Sequence, residues 1–364
     1  MFRMPPLPQP TIAVTLGDPG GIGPEVTAKA LLDPHISALA RWRILGPAQA
    51  WTSACKAAGL DATAFSIDLV PSSLSQSQPY DQLAMGSASR PTIGGGACSF
   101  AAVVDAIELA KRPLGDPLCA HAIVTAPISK EAWALAGHRQ YPGHTELLAE
   151  RFNTPDAKMF FHCPLPQGPG RPEHHSLNVV LVTVHVPLAR VSGLLTMGVV
   201  LDAIRAGARA CRSLGIAKPR VAVCGLNPHA GENGLLGIEE QQFISPAIEL
   251  AREEGLEASG PWPGDTVFNR ATRGDFDLVV AMYHDQGLIP VKLLGWDRAV
   301  NVTVGLPVPR TSPDHGTAFD IAGRGLADPG SMKAAMALAA RMCVQGADRV
   351  TSRSSAPGTP PTAC

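Results

Sequence analysis

The chain has 364 residues, 45% hydrophobic and 17% charged, with 30 Lys and Arg against 31 Asp and Glu, a formal net charge of -1. A chain this aliphatic buries a large core, and its length suggests two domains. The near-zero charge argues against a nucleic-acid binder or a polybasic membrane binder, and the longest apolar stretch, Leu177 to Ile204, is interrupted by His185, Pro187, Arg190 and Asp202, so no membrane span is expected.

From the N-terminus, MFRMPPLPQP lacks the apolar core of a signal peptide. Thr11–Leu16 reads as a buried strand running into the Gly/Pro turn GDPGGIGPE, with a helix over Glu25–Leu32. A short strand at Arg43–Gly46 precedes a helix at Ala48–Ala58. Pro71–Gly96, rich in Ser, Gln, Pro and Gly, reads as a long loop with at most short strands. Helical spacing over Phe100–Lys111 leads to a strand at Ala122–Thr125. Further strands are expected at Asn178–Val184, Arg220–Cys224 and Leu278–Met282. Continuous apolar strands alternating with helices indicate an α/β fold, its parallel sheet covered on both faces. Cys163–Ser176 is a Pro/Gly excursion, and the Ser/Pro/Thr-rich tail Thr351–Cys364 is expected to fray. Eight cysteines without a CxxC pair read as reduced, mostly buried thiols of a cytoplasmic protein.

Polar residues gather in Gly/Pro-rich turns after the strands, where parallel α/β proteins place their sites. Gly17–Glu25 has neither a P-loop nor a GxGxxG frame and is either a tight turn or part of a site. Pro142-Gly143 presents His144, Thr145 and Glu146; these either hold an anion at a helix N-terminus or cap the helix through Thr145. His185, His229 and His284 each follow a strand. Singly each reads as structural, but strand ends of one sheet converge, and three imidazoles there suit a divalent metal. Asp265 in GPWPGDTVF and Asp285 beside His284 offer carboxylates. Lys292 and Arg310 stand in apolar or Pro-rich surroundings; either binds an anion or forms a surface ion pair. Asn301 is a ligand donor or a turn cap, and Asp314–Thr317 is a turn whose backbone can approach a ligand. No GxSxG elbow is present, which argues against an α/β-hydrolase.

Seven ordered segments, TLGDPGGIGPEV, TAPISKEAW, YPGHTELLA, GLNPHAGENGLLGIEE, GDTVF, DLVVAMYHDQGLIPVK and VNVTVGLPVPRTSPDHGTAFDIAG, resemble the 4-hydroxythreonine-4-phosphate dehydrogenase family of vitamin B6 synthesis, over roughly Thr11 to Met342. GDPGGIGPEV and DHGTAFDIAGRGLADP also look like segments of the isocitrate and isopropylmalate dehydrogenases. The resemblance implies two α/β domains, residues 1–135 with 300–364 and residues 136–299, with the active site in the cleft between them. It implies a homodimer whose chains share each site, NAD or NADP, and one divalent ion (Zn, Mg or Co) per subunit. His185, His229 and His284 match the family's metal ligands. His144, Thr145, Lys292, Asn301 and Arg310 match its substrate-binding residues, and the loop with His315, Gly316, Thr317 and Asp320 would hold the cofactor. Asp265, Asp285 and Lys292 are the candidates for catalytic proton transfer. The implied reaction is oxidation and decarboxylation of 4-phosphohydroxy-L-threonine to 3-amino-2-oxopropyl phosphate. Alternatives are a related dehydrogenase of another phosphorylated hydroxy acid or a dihydrodiol carboxylate, and a metal-dependent hydrolase or acyltransferase. The Cys163–Ser176 excursion looks longer than the family's usual connection, and the terminal extensions match nothing recognisable.

Overall fold

The computed structural model describes residues 9–62, 68–70, 89–166 and 175–354. The first half alternates as the sequence pattern requires: β1 (Thr11–Thr15), α1 (Gly23–Leu31), α2 (Pro34–Ser37), β2 (Arg41–Leu45), α3 (Ala48–Ala57), β3 (Asp68–Val70), α4 (Ile93–Ala110), β4 (Ala122–Thr125), α5 (Lys130–Leu135) and α6 (His144–Arg151). The hairpin β5 (Lys158–Pro164) and β6 (Ser176–Leu181) follows, then α7 (Leu188–Leu194), α8 (Met197–Ser213) and β7 (Arg220–Cys224). After an irregular turn come α9 (Ser245–Glu253), β8 (Glu257–Trp262), α10 (Gly264–Thr272), β9 (Leu278–Ala281), α11 (His284–Gly295), β10 (Val300–Val304), β11 (Arg310–Pro313) and α12 (Gly330–Ser354).

All eleven strands join one sheet in the order β3-β2-β1-β4-β11-β10-β5-β6-β9-β7-β8. Its two wings are parallel, and both β10 and β5 run antiparallel to their neighbours at the centre. β1 and β4 are buried along their whole length, as expected of strands covered on both faces. One apolar cluster extends from Ile12 and Val14 to Val221 and Val280, and a separate one, from Met159 to Ala299, lies under the second wing.

The structure departs from the sequence pattern at identifiable places. α4 begins at Ile93, not Phe100, so Ile93–Gly96 belongs to a helix and not to a loop. Thr92 caps it through a bond from Gly95 N (3.0 Å), and its glycines let other chain segments come close. A Cβ on Gly96 would lie 2.0 Å from the Ala132 carbonyl. Residues 71–88 of the expected loop lie outside the described residues. α4 is long and apolar enough to cross a membrane, and it is a buried core helix here. β6 ends at Leu181, three residues earlier than expected, so Val182–Val184 already belong to the loop that carries His185. The Cys163–Ser176 excursion joins two antiparallel strands; Cys163 and Pro164 are still in β5, and residues 167–174 lie outside the described set. Of the tail, Thr351–Ser354 closes α12 and residues 355–364 are not described. Every described cysteine is a free thiol, and all but Cys343 are buried.

Candidate active site

A cavity of about 340 Å³ opens where the two wings meet, lined by Lys130, His144, Thr145, Glu146, His185, Asn301, Arg310, Asp314, His315 and Gly316 among others. Each arrives on a short element. Ser129 caps α5 by accepting Ala132 N (3.1 Å), which sets Lys130 as its first residue. Pro142-Gly143 starts α6 at His144 with Gly143 in the cap position and no side-chain cap. Thr145 is therefore not the cap; it lies within the helix and lines the cavity. The first amides of α6 have no side-chain acceptor, an arrangement that favours an anion. In the central antiparallel pair, Thr303 faces Arg310 in register, and Asn301 and Thr303 share one face because strand side chains alternate.

Arg310 lies at the base of the cavity and is only 2% exposed. Its Nε and Nη2 donate to Thr125 Oγ1 (3.2 and 2.5 Å), and its Nη1 donates to Thr303 Oγ1 (3.0 Å). These partners are neutral hydroxyls, and among the described residues it makes no ion pair. Burial lowers its pKa to about 9, opposed by the charge of Glu146, so the guanidinium stays positive at neutral pH. Burial, Arg310 and Lys130 together hold His144 well below its ordinary pKa, so this imidazole is neutral. Its Nε2 is buried without a hydrogen-bond partner, as are Asn301 Oδ1 and His315 Nε2. Three unsatisfied polar atoms and an unneutralised buried cation around one cavity call for a polar, anionic ligand.

His185 follows β6, and its ring centre is 5.6 Å from that of His284, the first residue of α11. His284 Nδ1 is 2.8 Å from Asp285 Oδ1, a contact that engages only one of the two ring nitrogens. This carboxylate–imidazole pairing is the usual support of a metal-bound histidine. The donors thus suit a divalent ion in two positions. His229, after β7, does not complete the set: among the described residues no three His, Cys, Asp or Glu side chains are grouped to hold a metal. It lies in a left-handed turn, beside the exposed Leu235, Leu236 and Ile238. Gln286 braces these loops, accepting Met282 N (2.7 Å) and donating to Gly225 O (2.8 Å).

Lys292, near the end of α11, pairs with Asp314 on the cavity wall (3.3 Å). Burial raises the Asp314 pKa, and Lys292 opposes this. Asp265, at the start of α10, is exposed and does not line the cavity. His315 and Gly316 line it, whereas Thr317 and Asp320 continue the loop beyond. That loop is anchored on the first Gly-rich turn: Ile22 N donates to Thr317 O (2.9 Å). Farther on, the buried Glu25 accepts Ala327 N (2.8 Å), and Lys29 donates to the Gly325 and Ala327 carbonyls (2.7 and 2.8 Å). Lys130 and Thr125 join the site without having been among its expected residues, although both lie in the TAPISKEAW segment. A larger apolar groove of about 1000 Å³ between α4, α8 and the loop after β10 shares only Thr303 with these residues, so size alone does not locate the site.

The family model "Pyridoxal phosphate biosynthetic protein PdxA" matches residues 39–339. The chain is 44% identical over 339 residues to the 4-hydroxythreonine-4-phosphate dehydrogenase of Beijerinckia indica, covering 92% of this chain and 95% of that one. It is 41% identical over 351 residues to the D-threonate 4-phosphate dehydrogenase of Cupriavidus necator, covering 94% and 98%. The crystal structure of a 4-hydroxythreonine-4-phosphate dehydrogenase from Klebsiella pneumoniae superposes with a TM-score of 0.76 at 38% identity, covering 92% and 98%. The chain belongs to the PdxA family of pyridoxal phosphate biosynthetic proteins.

Proposed function

We propose that this chain is an oxidoreductase of vitamin B6 biosynthesis that oxidises and decarboxylates 4-phosphohydroxy-L-threonine to 3-amino-2-oxopropyl phosphate and carbon dioxide, with NAD or NADP as oxidant. Arg310 carries the reading: a buried guanidinium with only hydroxyl partners, at the base of a cavity that also holds Lys130 and the uncapped start of α6. These groups bind the substrate's phosphate and carboxylate, with Lys292 supplying a further positive charge. His144 and Asn301 offer unpaired atoms to its remaining polar groups, and Thr145 lines the same wall.

His185 and His284 would hold a divalent ion (Zn, Mg or Co), with His229 coming from a second copy of the chain. The solvent-exposed Leu235, Leu236 and Ile238 beside His229 support a homodimer with shared sites. When bound, the ion lowers the pKa of a coordinated oxygen and the nicotinamide accepts hydride. The chain's own part is orientation and proton handling. Lys292, paired with Asp314 of the cavity wall, is the best placed of the three candidate catalytic residues. Asp285 fixes the ring of His284. Asp265 reaches a substrate only across the dimer. The loop of His315, Gly316, Thr317 and Asp320 would hold the cofactor, its buried His315 Nε2 being free to bond to it. Residues 1–135 with 300–364 and residues 136–299 form the two lobes, a division supported by the cluster confined to Met159–Ala299. We place the enzyme in the cytoplasm, consistent with its free, mostly buried thiols.

D-threonate 4-phosphate is the second reading, favoured by the similarity to the Cupriavidus necator dehydrogenase. Both substrates present a phosphate, a carboxylate and a secondary alcohol. Purified protein with NAD and a divalent ion should form NADH with 4-phosphohydroxy-L-threonine and less efficiently with D-threonate 4-phosphate. Reversed efficiencies would select the second reading, and no reduction of either NAD or NADP with either substrate would refute both.

A further inference from the structure

Residues His229–Asn233 have five consecutive left-handed backbones, with φ of 52°, 52°, 80°, 45° and 55°. Only the middle one, Gly231, adopts that region without a steric penalty. Non-glycine L-residues visit it singly, so a run with four of them persists only where the surroundings enforce it.

The enforcing group is Glu240, which is 3% exposed and begins a π-helical turn, Glu240–Ile244. Its carboxylate points back at the segment that leads into the left-handed turn. Oε1 accepts both Leu226 N and Asn227 N at 2.8 Å, and Oε2 accepts Asn227 Nδ2 at 3.0 Å. Glu239 adds a second acceptor for Asn227 Nδ2 (2.8 Å) and is itself bonded by Ser192 Oγ (2.7 Å). The turn folds over this carboxylate: a Cβ on Gly231 would lie 2.6 Å from Glu240 Oε2. Gly225 similarly leaves room for Ala230, whose Cα would be 2.7 Å from an added Cβ. The buried carboxylate therefore fixes both the entry to the turn and the space under it.

We propose that Glu240 is a positioning residue: it holds the Asn227–Gly234 turn in its left-handed form and so presents His229 to the metal. This rests on the reading of His229 as a metal ligand. A bystander anchor would alter overall stability alone. A positioning residue alters the local order of the turn and the affinity for the ion, and leaves the strand before it unchanged.

The test uses the full-length protein with Zn²⁺ alone as the probe. In Glu240→Gln, an amide NH₂ replaces one carboxylate oxygen while size is kept. Amide exchange of the metal-free protein over residues 226–236 should quicken at least tenfold, with β7 still protected. Zn²⁺ affinity, read by chelator competition, should fall on the order of 10- to 100-fold, the range typical of lost support to a metal ligand. If Glu240→Gln does not fold, Asn227→Ala removes the side-chain bond to Glu240 and the one to Glu239, keeps the backbone bonds, and should give the same changes at smaller size. Unaltered exchange and unaltered Zn²⁺ affinity in the variant that folds, with His229→Ala impaired in Zn²⁺ binding, refutes the positioning role alone. Wild-type Zn²⁺ affinity in His229→Ala refutes the ligand reading and the positioning role with it.

Discussion

Replacing Arg310 by Met separates a substrate-binding cation from a structural one. The guanidinium is 2% exposed and bonded to Thr125 and Thr303 hydroxyls, so the empty fold carries an unneutralised charge in its interior. Removing such a charge in favour of an apolar side chain of similar length is often neutral or stabilising. Its three hydrogen bonds end on two hydroxyls, which can rotate toward other acceptors. The net change in unfolding free energy should therefore lie within about 1 kcal/mol of zero. The loss on binding is larger. A hydrogen bond from a charged donor contributes about 1.5–3 kcal/mol, so losing a two-pronged contact to phosphate or carboxylate should cost about 3–4 kcal/mol. That is roughly a 100- to 700-fold rise in KM, or fall in kcat/KM, at about 1.4 kcal/mol per tenfold. Two assays check this: steady-state kinetics with the phosphorylated substrate, and thermal unfolding with and without inorganic phosphate. Wild type should be stabilised by phosphate and the variant should not. A variant with unchanged KM and a Tm lowered by many degrees would refute the assignment and make Arg310 a structural residue.

Two buried groups set opposing pH dependences. His162, bonded to Asn178 Oδ1 (2.7 Å), has its pKa lowered from 6.5 to about 4, mainly by burial. The unfolded chain thus binds the extra proton first, and stability present above pH 6.5 is lost as the pH falls toward 4, by about 3 kcal/mol. In His162→Gln, urea unfolding across this window should show a slope smaller by up to one proton, and an unchanged slope would contradict the argument. Asp18 is fully buried, accepts Gly20 N (3.0 Å) and has its pKa raised by burial from 3.8 to about 6. Here the folded chain holds the proton longer, so stability present below pH 3.8 is lost as the pH rises through about 6. Asp18→Asn should therefore be more stable than wild type by about 2–3 kcal/mol near neutral pH and indistinguishable from it near pH 3.5, as read by urea unfolding. A destabilised Asp18→Asn at neutral pH would refute it.

Most of the parallel strands were legible because they are uniformly apolar: TIAVT, AIVT and LVVA can only be interior strands between helices. The central antiparallel strands were not. β10, VNVTV, alternates because Asn301 lines the site and Thr303 holds Arg310, and β5 places His162 within its apolar run. Strands that serve chemistry lose the pattern that identifies strands. The same trade hid the start of α4, where Gly95 and Gly96, which weaken a helix, are what permit Asp18 and Ala132 to approach it.

The site was legible in its parts and not in its assembly. Arg310 and His144 could be named because a cation and an imidazole stand beside Pro and Gly, and Asn301 because an amide interrupts an apolar run, yet the orphaned atoms of His144 and Asn301 become visible only once the cavity closes around them. The expectation that three strand ends would gather three histidines holds for the topology, since β6, β9 and β7 are neighbours in the sheet. Topology does not fix where a loop goes after its strand. His185 and His284 turn toward one another, while Glu240 locks the path after β7 into a left-handed turn that takes His229 elsewhere. A lone chain has no evident return for the strain in that turn. On the reading proposed above, in which His229 serves a metal shared with a second copy, it becomes intelligible: a turn that is already rigid need not be ordered at the expense of binding energy.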